Sequence, residues 1–327
     1  MIENVLPGFF RLEIPLPESP LKFINAYVIK SAERNLIIDT GFNFPECLRA
    51  MRAGLQELQV DLDRTDFLIT HAHSDHFGLV SRLVAKNRKV YINALERDMI
   101  NRSGTWQTAI QYAIGSGFPE NEIKALIALH PGRNGGYEDP PEMDAFNHGD
   151  HLIIGDYRFR CITTPGHTEG HNCLYDPDKR ILVSGDHLLP DISPNIQCWS
   201  DEKNPLEKYL QSLDKIAGLT VDLVLPGHRG TFRNFLERID ELKAHHRDRS
   251  GEILTHLNRE PLNAYQIASR MTWDIKSATW DGFPLMQKWF GTGETIAHLR
   301  FMEEEGRVCR KGNAHHMLYA GLEAAGS

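Results

Sequence analysis

The chain has 327 residues, a net charge of −8, and 41% hydrophobic and 24% charged residues, which is the composition of an ordinary globular protein with room for one large core and a smaller module. Its acidic balance argues against broad affinity for nucleic acids or membrane surfaces. We find no secretory signal and no apolar run near the ~20 residues that cross a bilayer. The five cysteines include no CxxC pair. These features favour a cytoplasmic protein with reduced thiols.

The first seventy residues predict strands around one helix. Short apolar runs at 9–14, 26–30, 36–39 and 66–70 are typical of buried strands, and residues 44–59 have helical periodicity. The fourth run ends directly at a histidine. We therefore expect a functional loop at the end of that strand.

This loop contains the densest group of ligand-type residues in the chain: His71, His73, Asp75 and His76, within Thr70-HAHSDH-Phe77. Four such side chains within six residues would be costly to bury unless each found a partner, and a divalent cation suits all of them. In extended backbone, His71 and His73 point to the same side and could bind one ion. Asp75 and His76 follow where a helix is expected over 77–86, and they would face a second ion.

After this helix, residues 95–147 form an insertion with two predicted helices, near 105–114 and 120–129, and then a loop rich in glycine and proline. We expect the insertion to lie over the metal site and to shape the substrate pocket. Its charges do not form a basic track: they comprise Arg97, Arg102, Lys124 and Arg133, against Glu96, Glu120, Glu122 and Glu138.

Three further ligand-type residues each follow a predicted strand. His167 and His228 come after an apolar run and a Pro-Gly turn, and Asp186 comes after a strand that ends in glycine. We expect these side chains to converge on the HAHSDH loop. Cys173 and His187 lie near them in sequence. The position of Cys173 favours packing, and that of His187 favours a structural or solvent-facing role.

The order HxHxDH, then His, Asp and His, resembles the metallo-β-lactamase fold hydrolases over residues 1–245. The resemblance implies an α+β fold, an αββα sandwich with the metals at one edge. It implies two divalent metal ions, with ligand sets as follows: His71, His73 and His167 for the first, Asp75, His76 and His228 for the second, and Asp186 bridging. It also implies that Asp39, in Leu36-IIDTG-Gly41, orients a metal histidine from behind.

The implied chemistry is hydrolysis by a metal-bridging hydroxide. Asp75 would act in catalysis by orienting the hydroxide and passing a proton to the leaving group. Nitrogen and oxygen ligands suit Zn²⁺ and also admit Fe²⁺ or Mn²⁺. True β-lactamases of this fold usually have a cysteine where Asp186 stands, which argues against antibiotic hydrolysis. The lactonase branch usually has a tyrosine shortly after the bridging Asp, whereas His187-LLP follows Asp186 here, which argues against a lactonase of that branch.

Residues 246–327 predict helices and a terminal hairpin, which resembles the winged-helix C-terminal domain of the LACTB2-like branch. This segment contains ten Lys or Arg and ten Asp or Glu residues, a poor footprint for phosphate binding. We expect a lid, packing or dimerisation role rather than DNA binding.

The leading prediction is a binuclear hydrolase that acts on a small-molecule ester, thioester or lactone. The alternative is a phosphodiesterase or endoribonuclease of the LACTB2-like type. A third class, a winged-helix regulator that senses a ligand, would not need every metal-binding position filled, and the complete set favours catalysis.

Overall fold

The computed structural model describes residues 1–17, 19–101, 106–129, 139–275 and 279–322. The chain divides into two compact units with interleaved ranges. Unit 1 comprises Met1–Arg102, Pro131–Pro194 and Ser212–Ile239, and unit 2 comprises Ser103–His130, Asn195–Gln211 and Asp240–Ser327. Arg102, Arg133 and Glu138 of the predicted insertion lie outside the described residues, as does much of the loop predicted after its second helix.

The strands of the first sheet of unit 1 lie in the same order as in the chain. Its strands are β1 (Ile2–Leu6), β2 (Phe9–Pro15), β3 (Phe23–Ile29), β4 (Asn35–Ile38), β5 (Thr65–Leu68), β6 (Val90–Ile92) and β7 (Asp144–Ala145). Neighbours from β1 to β4 are antiparallel, whereas β4 to β7 run parallel. The parallel part places the C-terminal ends of β4 and β5 at the same edge.

The second sheet has the order β12-β11-β10-β9-β8. Its strands are β8 (His151–Ile154), β9 (Tyr157–Thr163), β10 (Asn172–Asp176), β11 (Ile181–Gly185) and β12 (Leu223–Pro226). β11 and β12 are parallel, and the other pairs are antiparallel. Exposed and buried residues alternate along β8, so one face of this edge strand meets solvent and the other meets the core.

The two sheets of unit 1 pack face to face. One core cluster contains Phe9, Tyr27 and Leu68 from the first sheet with Phe159 and Leu225 from the second. A second cluster lies on the other side of the first sheet, where Cys47, Met51 and Leu55 of helix α1 (Pro45–Glu57) are buried. The predicted α+β class and the packed pair of sheets are confirmed.

The helix predicted over 77–86 is two short helices, α2 (Ser74–Phe77) and α3 (Val80–Leu83). The N–H of Leu79 donates to the Thr40 hydroxyl at 3.2 Å instead of continuing the helical ladder. Gly78 is packed so tightly that an added Cβ would lie 2.4 Å from the Ser74 carbonyl oxygen. These contacts hold the HAHSDH segment and the residues after it against the loop that follows β4. Helix α4 (Ala94–Asn101) follows β6.

Unit 2 is mainly helical. It contains α5 (Trp106–Gly115), α6 (Glu120–Leu129), α9 (Ala264–Ala268), α10 (Leu285–Glu304) and a hairpin of β13 (Val308–Asn313) and β14 (His316–Gly321). Helices α7 (Pro205–Ala217) and α8 (Phe235–Leu257) each cross a border between unit ranges. The boundary predicted after residue 245 therefore falls inside a continuous helix. No helix among the described residues combines the length and apolar character needed to span a bilayer.

A buried histidine pair lies within unit 2. His246 Nδ1 is 3.2 Å from His298 Nε2, and the Ser250 hydroxyl lies 3.0 Å from His298 Nδ1. Burial, then the neighbouring His245 and Arg249, lowers the pKa of His246 to about 3, and burial with His246 lowers the pKa of His298 well below its usual value. Both imidazoles are therefore neutral in the folded protein near neutral pH.

This pair should make the folded protein sensitive to acid. Because both folded pKa values lie below the unfolded value of about 6.5, only the unfolded state binds these protons as the pH falls through 6.5, and the free energy of unfolding should fall by up to about 1.4 kcal/mol per pH unit per histidine. Denaturant unfolding of wild type and His298→Gln between pH 5 and 7.5 measures this. We expect a shallower pH dependence in the variant, and identical slopes would contradict the assignment.

Candidate metal centre

The HAHSDH segment begins just beyond the C-terminal end of β5, a strand paired on both sides. His71 is completely buried, and its ring centroid lies 4.6 Å from that of His73 and 4.0 Å from that of His76. His73 has extended backbone and directly precedes α2, which contains Asp75 and His76. The change from strand end to helix thus turns the four side chains towards one another.

The later residues reach the same place from the second sheet. His167, Asp186 and His228 follow β9, β11 and β12, and the Asn172 N–H at the start of β10 donates to the Thr70 carbonyl at 2.9 Å. Two glycines permit this convergence. Gly185 has a φ of +47°, and a Cβ on Gly227 would lie 2.5 Å from Asp186 Oδ1. Only a residue without a side chain fits at Gly227.

Seven predicted residues are brought together in three overlapping groups whose ligand atoms lie within 4.8 Å of one another. The groups are His71, His73 and His167; Asp75, His76 and His228; and His71, His76 and Asp186. The first two coincide with the two ligand sets that the family resemblance implies. The third connects them through Asp186.

The Asp186 carboxylate lies between the two histidine sets. Its Oδ1 is 3.5 Å from His76 Nε2, and its Oδ2 is 3.6 Å from His167 Nε2 and 3.4 Å from His228 Nε2. Asp75 Oδ2 is also 3.4 Å from His228 Nε2. One carboxylate therefore reaches imidazoles of both sets.

The donor atoms suit a divalent cation. Within the part of the chain that the structure describes, Nε2 of His71, His76 and His228 and Oδ1 of Asp186 are buried without a hydrogen bond. Unpaired buried polar atoms are costly, and a cation offers all four a partner. Nitrogen and oxygen donors without thiolate are accepted by zinc, iron(II) and manganese.

Asp39 lies behind this group. Its Oδ2 is 2.8 Å from His76 Nδ1, its Oδ1 accepts the Thr70 N–H at 2.9 Å, and its Oδ2 accepts the Thr70 hydroxyl at 2.8 Å. With a carboxylate at Nδ1, the imidazole of His76 keeps Nε2 directed at the ligand group. Asp39 has a φ of +57°, a conformation that costs energy in a residue other than glycine.

The pKa shifts divide four of these histidines into two pairs, one lowered and one raised. Burial lowers the pKa of His71 well below its usual value and that of His73 to about 3, and neighbouring imidazoles add to both effects. These rings are neutral, as metal ligation requires.

His76 and His228 behave oppositely. Burial lowers their pKa values, but the Asp186 and Asp75 carboxylates, joined by Asp39 at His76, together outweigh it. They raise the pKa of His228 to about 10 and that of His76 well above its usual value. Burial raises the pKa of Asp75, but His76 and His228 lower it more, to about 2. The carboxylates thus favour a positive charge beside these two rings, and a bound cation would supply it.

Two residues near the site were not identified from the sequence. His171 is buried, its Nε2 accepts the Asp186 N–H at 3.1 Å, and its Nδ1 lies 2.9 Å from the Thr164 hydroxyl. The sequence signal for His171 is its spacing, because it is a second histidine four residues after His167. Glu96 belongs to the predicted insertion, and its side chain is buried at 1% exposure.

Cys173 is buried, in agreement with its predicted packing role, and His187 is also buried rather than solvent-facing. Cys173 Sγ lies 3.4 Å from the Thr164 hydroxyl oxygen. Burial lowers the pKa of His187 to about 3. Among the described residues, neither belongs to a group that could hold an ion.

Comparison with known proteins agrees with this geometry. Residues 20–228 match the family model of the metallo-beta-lactamase superfamily. The chain belongs to this superfamily. The matched range includes all seven residues of the three groups, together with Asp39.

Relatives that align with most of this chain are found among both protein sequences and solved structures. A beta-lactamase-like protein 2 homolog of Caenorhabditis elegans is 23% identical over 277 residues, 82% of this chain and 78% of that protein. The human acyl-coenzyme A thioesterase MBLAC2 is 28% identical over 242 residues, 69% and 80% of the two chains. A metallo-beta-lactamase family protein from Thermus thermophilus superposes with a TM-score of 0.82 at 28% identity, covering 98% of this chain and all of that one.

These relatives confirm the predicted LACTB2-like resemblance, and with the family match they make the chain a metal-dependent hydrolase of the metallo-beta-lactamase superfamily.

Proposed function

We propose that this hydrolase is binuclear and that it cleaves a thioester. One ion would be held by His71, His73 and His167 and the other by Asp75, His76 and His228, with Asp186 between them. The observation that supports this most is the Asp186 carboxylate, whose two oxygens lie 3.4–3.6 Å from imidazole nitrogens of both sets. A single metal site would not need a carboxylate that reaches both.

When bound, divalent ions lower the pKa of water from ~15.7 to about 7 and polarise a carbonyl group. We propose zinc, which suits the nitrogen and oxygen donors. The chain's own residues contribute by orienting the side chains that would hold the ions. Asp39 fixes the orientation of His76, and the neutral rings of His71 and His73 offer their lone pairs.

Asp75 is the residue proposed to move the proton. Its side chain is 15% exposed, compared with 9% for Asp186, so it is the more accessible carboxylate. Water oxygen would attack the carbonyl carbon, the carbon–sulfur bond would break, and Asp75 would pass the water's proton to the departing sulfur. The products are a carboxylic acid and a thiol.

The thioester assignment comes from similarity. The human relative that covers 69% of this chain is named an acyl-coenzyme A thioesterase, and ester, thioester and lactone carbonyls present the same kind of carbon for attack. The net charge of −8 does not favour a polyanionic nucleic acid as substrate.

We also propose a winged-helix arrangement for the C-terminal region, with a role in packing or dimerisation. The order of α8, α9, α10 and the β13–β14 hairpin supports it. The covering role expected of residues 95–147 stays a prediction.

A substrate panel tests the proposed function. Purified protein should release free thiol from acyl-coenzyme A far faster than it hydrolyses a homoserine lactone, p-nitrophenyl acetate or bis(p-nitrophenyl) phosphate. His71→Ala should remove this activity, while His151→Ala, which changes an exposed histidine on β8, should leave it intact. Hydrolysis of the phosphodiester alone would favour the nuclease alternative and contradict the proposal.

A further inference from the structure

The Glu96 carboxylate accepts two backbone hydrogen bonds, and no other described side chain accepts from the same two N–H groups. It lies in the first turn of α4 and is 1% exposed. Its Oε2 accepts the N–H of Ala72 at 2.8 Å, and its Oε1 accepts the N–H of Gly170 at 2.7 Å. A buried carboxylate is costly unless its oxygens are hydrogen-bonded, and here each oxygen has a backbone donor.

The two donors belong to two different ligand loops. Ala72 lies between His71 and His73, and Gly170 lies three residues after His167. One carboxylate therefore joins the loop after β5 to the loop after β9. The three histidines on these loops form the first of the candidate ligand groups.

The surroundings fix the position of Glu96. Asn93 Oδ1 accepts the Leu95 N–H at 2.9 Å, which caps the start of α4. Gly170 lies so close that a Cβ would be 2.6 Å from Asn93 Oδ1 and 2.9 Å from Glu96 Cγ. The glycine lets its loop approach the helix closely enough for its N–H to reach the carboxylate.

We propose that Glu96 is a positioning residue: it sets the spacing between the His71–His73 pair and His167, and thereby the affinity of the metal site that these three form. This rests on the proposed metal centre. Glu96 touches neither substrate nor ion in this account and acts through the backbone of two loops. Charge-assisted hydrogen bonds to N–H groups make the link stronger than a neutral side chain could.

The test is Glu96→Gln, with metal affinity as the readout. Glutamine has nearly the same shape, but its amide nitrogen would face one of the two N–H groups. Titration of metal-free protein with Zn²⁺ against a chromophoric chelator should show one site weakened by about 10- to 100-fold and the other changed by less than about threefold. Cobalt(II) substitution should show an altered visible spectrum for the weakened site alone.

The matched control is Glu294→Gln. Glu294 is a buried carboxylate of unit 2, 3.7 Å from the Arg249 guanidinium, and its replacement should leave both metal affinities unchanged. Equal weakening of both sites in Glu96→Gln, or no weakening, would overturn the role of Glu96. A wild-type chain that bound no metal would overturn the proposed metal centre itself, so the two failures are distinguishable.

If Glu96→Gln does not fold, Glu96→Asp is the variant to measure. Glu96→Asp keeps the charge but is one methylene shorter, so it can reach only one of the two N–H groups. We expect the same site to weaken to a smaller extent. Wild-type affinity at both sites in the aspartate variant would overturn the proposal.

Discussion

Asp186→Asn is expected to lower kcat/KM by about 10³-fold or more and to reduce the bound metal below the wild-type amount. The carboxylate oxygens lie within 3.6 Å of nitrogens on His76, His167 and His228. An asparagine removes the negative charge between two cation sites and directs an N–H donor at groups that need an acceptor. Both effects weaken the same centre.

Asp176→Asn is the matched control for this change. Asp176 is a buried aspartate of the same sheet, but its oxygens accept the N–H groups of Arg158, Asp178 and Lys179. Its replacement should affect the free energy of unfolding and leave metal content unchanged. An Asp186→Asn protein with full metal content and a wild-type kcat/KM would show that no carboxylate bridge exists.

Asp75→Asn is expected to lower kcat by about 10²- to 10⁴-fold, the range for loss of a general acid–base group. Asparagine can still offer one oxygen to an ion, but it cannot take up a proton. KM should change little, because the proton is transferred in the transition state and not on binding. Steady-state kinetics with acyl-coenzyme A, alongside metal analysis of the same samples, measures both.

Ser74→Ala serves as the neighbouring control, since Ser74 contributes no atom to the ligand groups. Its activity should match that of wild type. If Asp75→Asn kept both its kcat and its metal content, Asp75 would have no role in proton transfer.

The parts of the fold and site that could be predicted are those with a local signal. Apolar runs that end at His71, Asp186 and His228 predict strand ends, and the structure places these residues one to three positions after the ends of β5, β11 and β12. These strand ends predict only that the side chains converge. The division of the seven residues into two ligand sets is implied by the resemblance to the metallo-β-lactamase fold hydrolases.

The parts that could not be predicted depend on contacts between distant segments. Glu96 has the sequence context of an exposed helical charge, and only the approach of Ala72 and Gly170 gives it two buried donors. The interruption between α2 and α3 has the same origin, because the Thr40 hydroxyl takes the Leu79 N–H.

The most direct test of the binuclear centre is metal analysis of the purified protein before and after chelation, with activity measured on each sample. We expect about two equivalents of divalent metal per chain, loss of thioester hydrolysis after chelation, and recovery when Zn²⁺ is added back. Full activity after exhaustive chelation, with no metal left in the protein, would contradict the account.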